Sequence, residues 1–405
     1  MLYFDFNATT PLADEVIESI KDALTVGWGN PSSKYDAGLQ ARMLIEEARN
    51  NVAACIGAAS RDIIFTSGGS ESNNWVIYSA VENYEASCIS RSESGETYRK
   101  PHIVTTTVEH DSISAPLQAL ENKGKADITK VPINKTIGEI VPSDVVAAIQ
   151  PNTCLVTIMM ANNETGTIMP IREISSAVRR IENKLSSSIM IHTDAAQAIG
   201  KIPVNVNELG VDCLTLAGHK FYGPRIGALY VKNLNNKTFH PFILGGGQEN
   251  GWRAGTENTP MIVGLGKAAA LVRDYLNDYT VAMEDSRDYL EIKMAEIFGN
   301  KNITFNCKSP NKLPNTCNVS ILGKGLEGYK VVKNAKGFCC STGSACHSGN
   351  CEPSKILLSF HVGKDVARNA IRISTGRHTN RKQIDSLVME LRKVVDDLKT
   401  TVEKE

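Results

Sequence analysis

The segment Leu216-Ala-Gly-His-Lys-Phe-Tyr-Gly-Pro224 places a lysine between an apolar strand candidate, residues 213–216, and a glycine-proline turn. A lysine at the carboxyl end of a buried strand is poorly solvated, so burial disfavours its ammonium form and lowers its pKa. The resulting free amine can form a Schiff base with an aldehyde cofactor. A surface lysine after a strand fits the motif equally well, so the interpretation of Lys220 depends on the rest of the chain.

A second apolar segment, Ile189-Met-Ile-His-Thr-Asp-Ala-Ala-Gln197, also ends in polar residues. Pyridoxal 5'-phosphate (PLP) stores carbanion charge only while its pyridine nitrogen is protonated, and a carboxylate such as Asp194 maintains that protonation. Because open α/β sheets bind ligands at the carboxyl ends of their strands, Lys220 and Asp194 together predict a PLP site. Gln197 can reach the phenolic oxygen of the cofactor; a surface glutamine in the first turn of a helix is the alternative.

The segment Arg61-Asp-Ile-Ile-Phe-Thr-Ser-Gly-Gly-Ser-Glu-Ser-Asn-Asn-Trp75 has the pattern of a strand, a glycine turn and a helix start. Glycines let the backbone approach an anion, and the N-terminus of a helix favours negative charge. We therefore expect Gly69 and Ser70 to contact the phosphate of the cofactor. Plain helix capping is the alternative, and the prediction gains its weight from Lys220 and Asp194.

Two further polar residues follow strand candidates. A histidine on an apolar segment is more often a core residue than a catalyst, but His110 ends a strand whose neighbours already carry two cofactor ligands. We expect its ring to stack on the pyridine and to move protons. Asn163 follows the strand candidate at residues 155–160 and occupies an equivalent position, with Asn162 as the alternative.

Four of the ten cysteines lie within residues 339–351. The chain shows no signal peptide, which predicts free thiols rather than disulfides. Structural zinc sites use two closely spaced cysteine pairs, whereas Cys346 and Cys351 form one wide pair in a glycine-serine stretch, so we predict no metal. Cys346 lies among polar residues beside His347, a setting in which a thiol can ionise and attack.

Arg372 lies on a short strand candidate, Ala370-Ile-Arg-Ile-Ser-Thr-Gly-Arg377. A guanidinium fixed on a strand suits bidentate binding of an amino acid's carboxylate. An ordinary strand salt bridge is the alternative, and Arg368 and Arg377 are competing candidates for either role.

Composition excludes several classes of protein. The 405 residues are 42% hydrophobic and 22% charged, which is enough for two domains and a large core. Lysine plus arginine equals aspartate plus glutamate at 44 each, so no net charge recruits nucleic acid or an anionic membrane. No apolar run approaches the ~18 residues of a membrane span. The N-terminal residues lack the pattern of a targeting peptide, so we expect a cytosolic protein unless a leader was removed.

Apolar strand candidates alternate with amphipathic helix candidates such as Ile171 to Asn183, which predicts an α/β fold with a mostly parallel sheet. The strand candidates of this sheet are residues 62–65, 102–105, 155–160, 189–192, 213–216 and 227–231. We expect a large PLP-binding domain at residues 15–261. Residues 1–14 and 262–405 are predicted to form a smaller α+β domain that carries the cysteine loop at about residues 337–353.

Several motifs together resemble the PLP-dependent cysteine desulfurase and selenocysteine lyase family over nearly the whole chain. They are Asn7-Ala-Thr-Thr-Pro11, Gly29-Asn-Pro-Ser-Ser33, Thr66-Ser-Gly-Gly-Ser-Glu-Ser-Asn-Asn74, Val108-Glu-His110, Ala161-Asn-Asn-Glu-Thr-Gly166, His192-Thr-Asp-Ala-Ala-Gln197 and Gly218-His-Lys220. Finer segments, among them Gly245-Gly-Gly-Gln-Glu249 and Ala345-Cys-His-Ser348, resemble the animal-type selenocysteine lyases of that family. The resemblance implies the aminotransferase-like fold type I of PLP-dependent transferases.

The resemblance also implies a role for each candidate. Lys220 is then the Schiff-base lysine, Asp194 the pyridinium partner and Cys346 the loop nucleophile or acid. The other implied roles are ring stacking for His110, phenolate contact for Gln197, phosphate binding for Gly69, Ser70 and His219, and a phosphate contact from the neighbouring subunit for Thr256. A site completed by the neighbouring subunit implies a homodimer.

The implied reaction converts L-selenocysteine to L-alanine and reduced selenium, held as selenide or as a perselenide on the enzyme. The alternative is a cysteine desulfurase that passes sulfur from a Cys346 persulfide to an acceptor protein for iron–sulfur or thio-cofactor assembly. Two features depart from the selenocysteine lyase pattern. The loop ends in Glu352-Pro-Ser354 as in desulfurases, and Cys351 is an extra thiol that neither group requires.

Overall fold

The computed structural model describes residues 1–92, 98–185, 188–234, 239–342 and 352–402. The strands in these residues are β1 (Leu2–Tyr3), β2 (Ile63–Thr66), β3 (His102–Thr106), β4 (Asp127–Val131), β5 (Thr153–Thr157), β6 (Met190–Asp194), β7 (Cys213–Ala217), β8 (Gly227–Val231), β9 (Ile303–Phe305), β10 (Thr316–Ile321), β11 (Phe338–Cys339) and β12 (Ala370–Ser374). The helices are α1 (Asp14–Val26), α2 (Asp36–Cys55), α3 (Gly69–Ser92), α4 (Asp111–Asn122), α5 (Pro142–Ala148), α6 (Ile171–Leu185), α7 (Val206–Leu209), α8 (Thr259–Phe298), α9 (Gly328–Asn334), α10 (Lys355–Ser359), α11 (Lys364–Arg368) and α12 (Arg381–Val402).

A seven-stranded sheet with the order β2-β8-β7-β6-β5-β3-β4 forms the centre of the fold. The neighbours from β7 to β4 are parallel, and β8 runs antiparallel to both of its neighbours. Strands buried on both faces are short apolar runs because helices cover each face. The predicted α/β fold with a mostly parallel sheet is therefore confirmed.

Successive residues of the strands pack against opposite helical layers. In β2, Ile63 and Phe65 join the core formed with α1, α2, α6 and α8, whereas Ile64 joins the core formed with α3 and α4. This alternation follows from the two-residue period of a strand. The helices therefore cover both faces and leave the carboxyl edge of the parallel strands accessible.

A buried histidine bridges three strands of the sheet. His192 on β6 is hydrogen-bonded through Nδ1 to Thr157 Oγ1 on β5 at 2.8 Å and through Nε2 to Thr215 Oγ1 on β7 at 3.1 Å. His102 on β3 makes the equivalent pair of bonds to threonines on β4 and β5. Burial lowers the pKa of His192 to about 4, so the ring is neutral and its two nitrogens are fully used in cross-strand bonds.

A smaller unit surrounds an antiparallel sheet with the order β12-β10-β9. Its core includes Phe4 from the N-terminus, Leu290 from α8, Val319 from β10 and Leu387 from α12. Helix α8 contributes its first half to the large core and its second half to this one. The predicted domain limits at 14/15 and 261/262 stay a proposal, since α8 belongs to both cores. Across the described ranges, every helix is too short or too polar to cross a membrane.

Candidate active site

A cavity of about 390 Å³ lies at the carboxyl ends of β5, β6 and β7. The predicted site residues that line it are Gly69, Ser70, His110, Asn163, Asp194, Gln197, His219, Lys220 and Arg372. Thr256 is exposed and does not line this cavity. Cys346 and Cys351 lie outside the described residues. The structure thus brings together the sheet-edge candidates that the sequence indicated separately.

Lys220 ends a short helical turn, Gly218–Lys220, that directly follows β7. Its Nζ donates hydrogen bonds to the backbone carbonyls of Asn7 and Ala8, each at 2.8 Å. Burial is the main cause that lowers its pKa to about 8, and the charge of Arg372 lowers it further while Asp194 opposes the shift. About one tenth of the amine is therefore unprotonated at pH 7, and this fraction grows as the pH approaches 8, as an attacking or proton-accepting lysine requires.

Asp194 is the last residue of β6 and is buried. Its Oδ1 accepts from the backbone N–H of Ala196 at 2.9 Å, and its Oδ2 accepts from Nδ2 of Asn73 at 2.8 Å. Both donors are neutral, and no ion pair to Asp194 occurs in the part of the chain that the structure describes. A buried carboxylate held only by neutral donors is matched to a cationic ring nitrogen.

The start of α3 and His219 line the cavity together. Gly69 and Ser70 are the first residues of α3, whose leading N–H groups have no partners within the helix. His219 contacts Thr9 Oγ1 through Nδ1 at 3.2 Å. Burial, followed by the charges of Lys220 and Arg225, lowers the pKa of His219 to about 4. The ring of His219 is therefore neutral, and a neutral imidazole can donate one hydrogen bond.

His110 is exposed at the cavity and is the N-cap residue of α4. Its Nδ1 accepts from the backbone N–H of Ser112 at 3.1 Å. A ring nitrogen that accepts carries no proton, so the proton of the neutral ring is on Nε2. The alternative of a buried core histidine is wrong, and Nε2 is the atom available for proton transfer in the cavity.

Arg372 is buried on β12 and makes the strand salt bridge that was the alternative to substrate binding. Its Nη2 contacts Asp5 Oδ1 at 2.6 Å, and its Nη1 donates to the backbone carbonyl of Asn163 at 2.9 Å. Nε is buried and has no hydrogen-bond partner among the described residues. Arg372 nevertheless lines the cavity, so the salt bridge fixes the guanidinium in place at the site.

The competing candidates are engaged elsewhere. Asn162 is fully buried, and its Oδ1 accepts from the backbone of Glu164 and Thr165, so it shapes the turn after β5. The guanidinium of Arg377 stacks on the rings of Tyr222 and Tyr279, at 4.1 and 4.5 Å from their centroids. Neither residue lines the cavity.

Three polar residues of the site were not assigned from the sequence. Asn7 and Asn73 lie inside the sequence motifs quoted above, which assign no role to their side chains. Lys201 lies outside those motifs. Asn7 lines the cavity and contacts both Lys220 and Gln197 through its backbone carbonyl. The sequence signal for Asn7 was a polar residue close to apolar ones, and its role depends on contacts with residues that are distant in the sequence.

The aminotransferase class-V family model matches residues 2–387. The chain belongs to this family. It is 48% identical to the human selenocysteine lyase over 98% of this chain and 92% of that protein, and equally identical to the Xenopus laevis selenocysteine lyase over 96% and 93%. It is 39% identical to the cysteine desulfurase IscS of Dictyoglomus turgidum over 98% and 95%.

Solved structures show the same relationship. A NifS-like protein is 30% identical with a TM-score of 0.85, covering 98% of this chain and 99% of its own. A structure titled SspA in complex with cysteine is 34% identical with a TM-score of 0.76, covering 94% and 100%. The chain is thus a PLP-dependent enzyme of the cysteine desulfurase and selenocysteine lyase group.

The residues of the cavity fit PLP. Lys220 supplies an amine of lowered pKa, and Asp194 supplies a buried carboxylate that no cation pairs with among the described residues. The start of α3 and the neutral His219 supply donors for a phosphate. These three groups are the ones that the aldehyde, the ring nitrogen and the phosphate of the cofactor require.

Proposed function

We propose that this protein is a PLP-dependent selenocysteine lyase that converts L-selenocysteine to L-alanine and reduced selenium. The observation that carries the proposal is the 48% identity with animal selenocysteine lyases over nearly the full chain, against 39% with a cysteine desulfurase. The cavity supports it because a lysine base, a carboxylate and a fixed arginine all reach one space.

Each residue of the site has a separate role in the proposed reaction. PLP, when bound, supplies an electron sink for the charge that develops on the α-carbon of the amino acid. Lys220, once displaced by the substrate's amine, takes the α-proton, since its pKa lies near the working pH. Asp194 keeps the negative charge that maintains the ring nitrogen in its protonated form. His110 presents Nε2 to the cavity for a second proton transfer.

Arg372 is the proposed binding group for the carboxylate of the substrate. Its guanidinium is already oriented by Asp5 and by the carbonyl of Asn163, so little side-chain entropy is lost when a substrate binds. Nε is buried and has no protein partner among the described residues, so the guanidinium keeps one donor that the described protein groups do not use.

Cys346 is the proposed acceptor of selenium. Its thiol attacks selenium, the Cβ–Se bond breaks, and the electron pair of that bond takes a proton at Cβ to give alanine. The enzyme then holds Cys346 as S–SeH, and a thiol reductant is required to release selenide. Selenium leaves carbon more readily than sulfur, and a loop thiol among polar residues can ionise to attack it.

The test compares L-selenocysteine with L-cysteine, with alanine formation as the readout. A selenocysteine lyase forms alanine much faster from selenocysteine and needs no keto acid. Equal turnover of both substrates, with sulfur retained on Cys346, would favour the desulfurase alternative and an acceptor protein for its persulfide. The match to a structure titled with bound cysteine is the observation that favours this alternative.

We also propose a homodimer in which Thr256 of one subunit contacts the phosphate bound by the other. Thr256 is exposed and does not line its own chain's cavity, and Leu244, which follows the bridge between Ile243 and Arg253, is 82% exposed. Oε2 of Glu257 is buried yet has no hydrogen-bond partner in the described residues. Sedimentation of the holoenzyme at twice the chain mass, together with weaker PLP binding by Thr256→Ala, is the expected result; a monomer with unchanged PLP affinity would contradict it.

A further inference from the structure

A second lysine is buried directly behind two residues of the cavity. Lys201 is only 3% exposed and does not line the cavity itself. Its Nζ contacts Gln197 Oε1 at 2.6 Å and Asn7 Oδ1 at 3.1 Å, and both of those residues line the cavity. The preceding residue, Gly200, has a φ of +76° and lies close to Phe221.

Burial of this lysine is costly. Its pKa is lowered well below the ordinary value by burial, and by the charges of Lys220 and Arg372. Within the residues that the structure describes, its hydrogen bonds go to amide oxygens and not to a carboxylate. A methionine fills similar space without a polar group to bury, so packing alone does not account for a lysine here.

The contacts of Lys201 determine the orientation of the Gln197 amide. The backbone carbonyl of Asn7 can only accept, so the atom of Gln197 that meets it at 2.9 Å is Nε2. Oε1 therefore points to Lys201, whose Nζ donates to it. The two contacts hold the amide from both ends and favour the same orientation, since an amide rotated by half a turn would place Nε2 against the donor Lys201 and Oε1 against the carbonyl of Asn7.

This orientation matters for a ligand in the cavity. Nε2 carries two hydrogens, and the bond to Asn7 uses one of them. The second is available to an oxygen in the cavity. An N–H stabilises an anionic oxygen such as the phenolate of PLP, whereas an amide rotated by half a turn would present its own oxygen and repel that anion.

We propose that Lys201 is a positioning residue for the cofactor: it fixes the Gln197 amide with an N–H directed at the phenolic oxygen of PLP. The same carbonyl of Asn7 accepts from Nζ of Lys220 at 2.8 Å, so the network also holds the reactive amine. The inference rests on the proposed function only in requiring PLP as the cofactor. Its test measures PLP binding without any amino-acid substrate, so it fails or holds independently of selenium turnover.

The experiment is a double-mutant cycle of PLP affinity. PLP is removed from the purified holoenzyme of each variant and titrated back, with absorbance and the melting temperature of the PLP-free protein as readouts. Lys201→Met is expected to weaken PLP binding by about tenfold or more, the worth of a hydrogen bond to a charged group. In a Gln197→Met background, Lys201→Met is expected to have no further effect, because the amide it positions is gone.

Two further variants complete the test. Lys201→Gln keeps a donor for Oε1 of Gln197 and is expected to restore most of the affinity. Lys312→Met removes a half-buried lysine paired with Glu291 away from the cavity and serves as the matched control, with unchanged affinity. The proposal is overturned if Lys201→Met binds PLP normally, or if its effect is the same with and without the Gln197 amide. Should Lys201→Met fail to fold, the Lys201→Gln variant decides: wild-type PLP affinity in that variant that Gln197→Met does not lower would refute the role.

Discussion

The Arg49–Glu249 ion pair differs from Asp194 and Lys220 of the active-site cavity in how its buried charges are paired. Arg49 and Glu249 are 6% and 4% exposed and bind each other through two hydrogen bonds of 2.7 Å. Among the described residues of the cavity, Asp194 accepts only from neutral donors and Lys220 donates only to carbonyls, whereas Arg372 keeps an ion pair with Asp5. The difference shows that Asp194 and Lys220, the two charged groups that fit the cofactor, are left without a protein counter-ion, whereas the structural pair is neutralised within the protein.

Removing the amine of Lys220 is expected to have the largest effect on turnover. Lys220→Ala is expected to lower turnover by at least about 10⁴-fold, because the amine both anchors the cofactor and acts as the base. The fold should persist, since the amine is bonded only to backbone carbonyls. Alanine formation and the melting temperature measure the two effects. Turnover above a trace in this variant would remove the PLP mechanism.

Cys346 and Cys351 offer a matched pair of variants. If Cys346 is the nucleophile, Cys346→Ser should lose turnover of both selenocysteine and cysteine, because a serine hydroxyl does not ionise near neutral pH. Cys351→Ser should leave turnover nearly unchanged. If Cys346 only donates a proton, Cys346→Ser would retain selenocysteine breakdown and lose cysteine breakdown. An inactive Cys351→Ser beside an active Cys346→Ser would show that the roles are reversed.

Neutralising the carboxylate sharpens the comparison without deleting a side chain. Asp194→Asn should lower turnover by about 10³-fold, because an uncharged partner no longer keeps the ring nitrogen protonated. Asp194→Ala should in addition bind PLP more weakly. Turnover and PLP titration distinguish the two variants. Normal turnover in either would mean that another acid protonates the ring.

The pH dependence of cofactor capture tests the lowered pKa of Lys220. The free amine is the reactive form, so the rate at which the PLP-free protein captures PLP should rise by about tenfold per pH unit below pH 8 and level off above it. Stopped-flow absorbance between pH 6 and 10 measures this rate. A rate that continues to rise toward pH 10 would show that the cavity does not shift this pKa.

The structural ion pair should behave in the opposite way, with the smallest effect on turnover. Glu249→Ala leaves Arg49 buried without its main partner and should lower the free energy of unfolding by about 3–5 kcal/mol. Neither residue lines the cavity, so turnover per folded molecule should change little. Thermal unfolding and an assay at a temperature well below the transition separate the two quantities. A large loss of turnover in the folded variant would show that the two regions are coupled.

The fold could be predicted wherever a strand is buried on both faces. Strands β3 and β5 to β8 are short apolar runs, whereas the edge strand β4 was missed because its residues are largely exposed and polar. The site was predictable where a polar residue lies at or just after the carboxyl end of a buried strand, as Asp194 and Lys220 do. Asn7 and Lys201 could not be assigned in this way, because Asn7 contacts Thr316 and Lys201, which are distant from it in the sequence.

The position of Asn7 has a consequence for how the enzyme is made. The N-terminal strand β1 pairs with β11, and the backbone N–H of Asn7 donates to Ser374 Oγ at 3.0 Å. These two residues are 367 positions apart in the sequence, so this wall of the cavity is complete only when the N-terminal segment and β12 have packed together. A variant that lacks β12 would therefore lack a partner that holds Asn7 at the cavity, even if the large sheet formed.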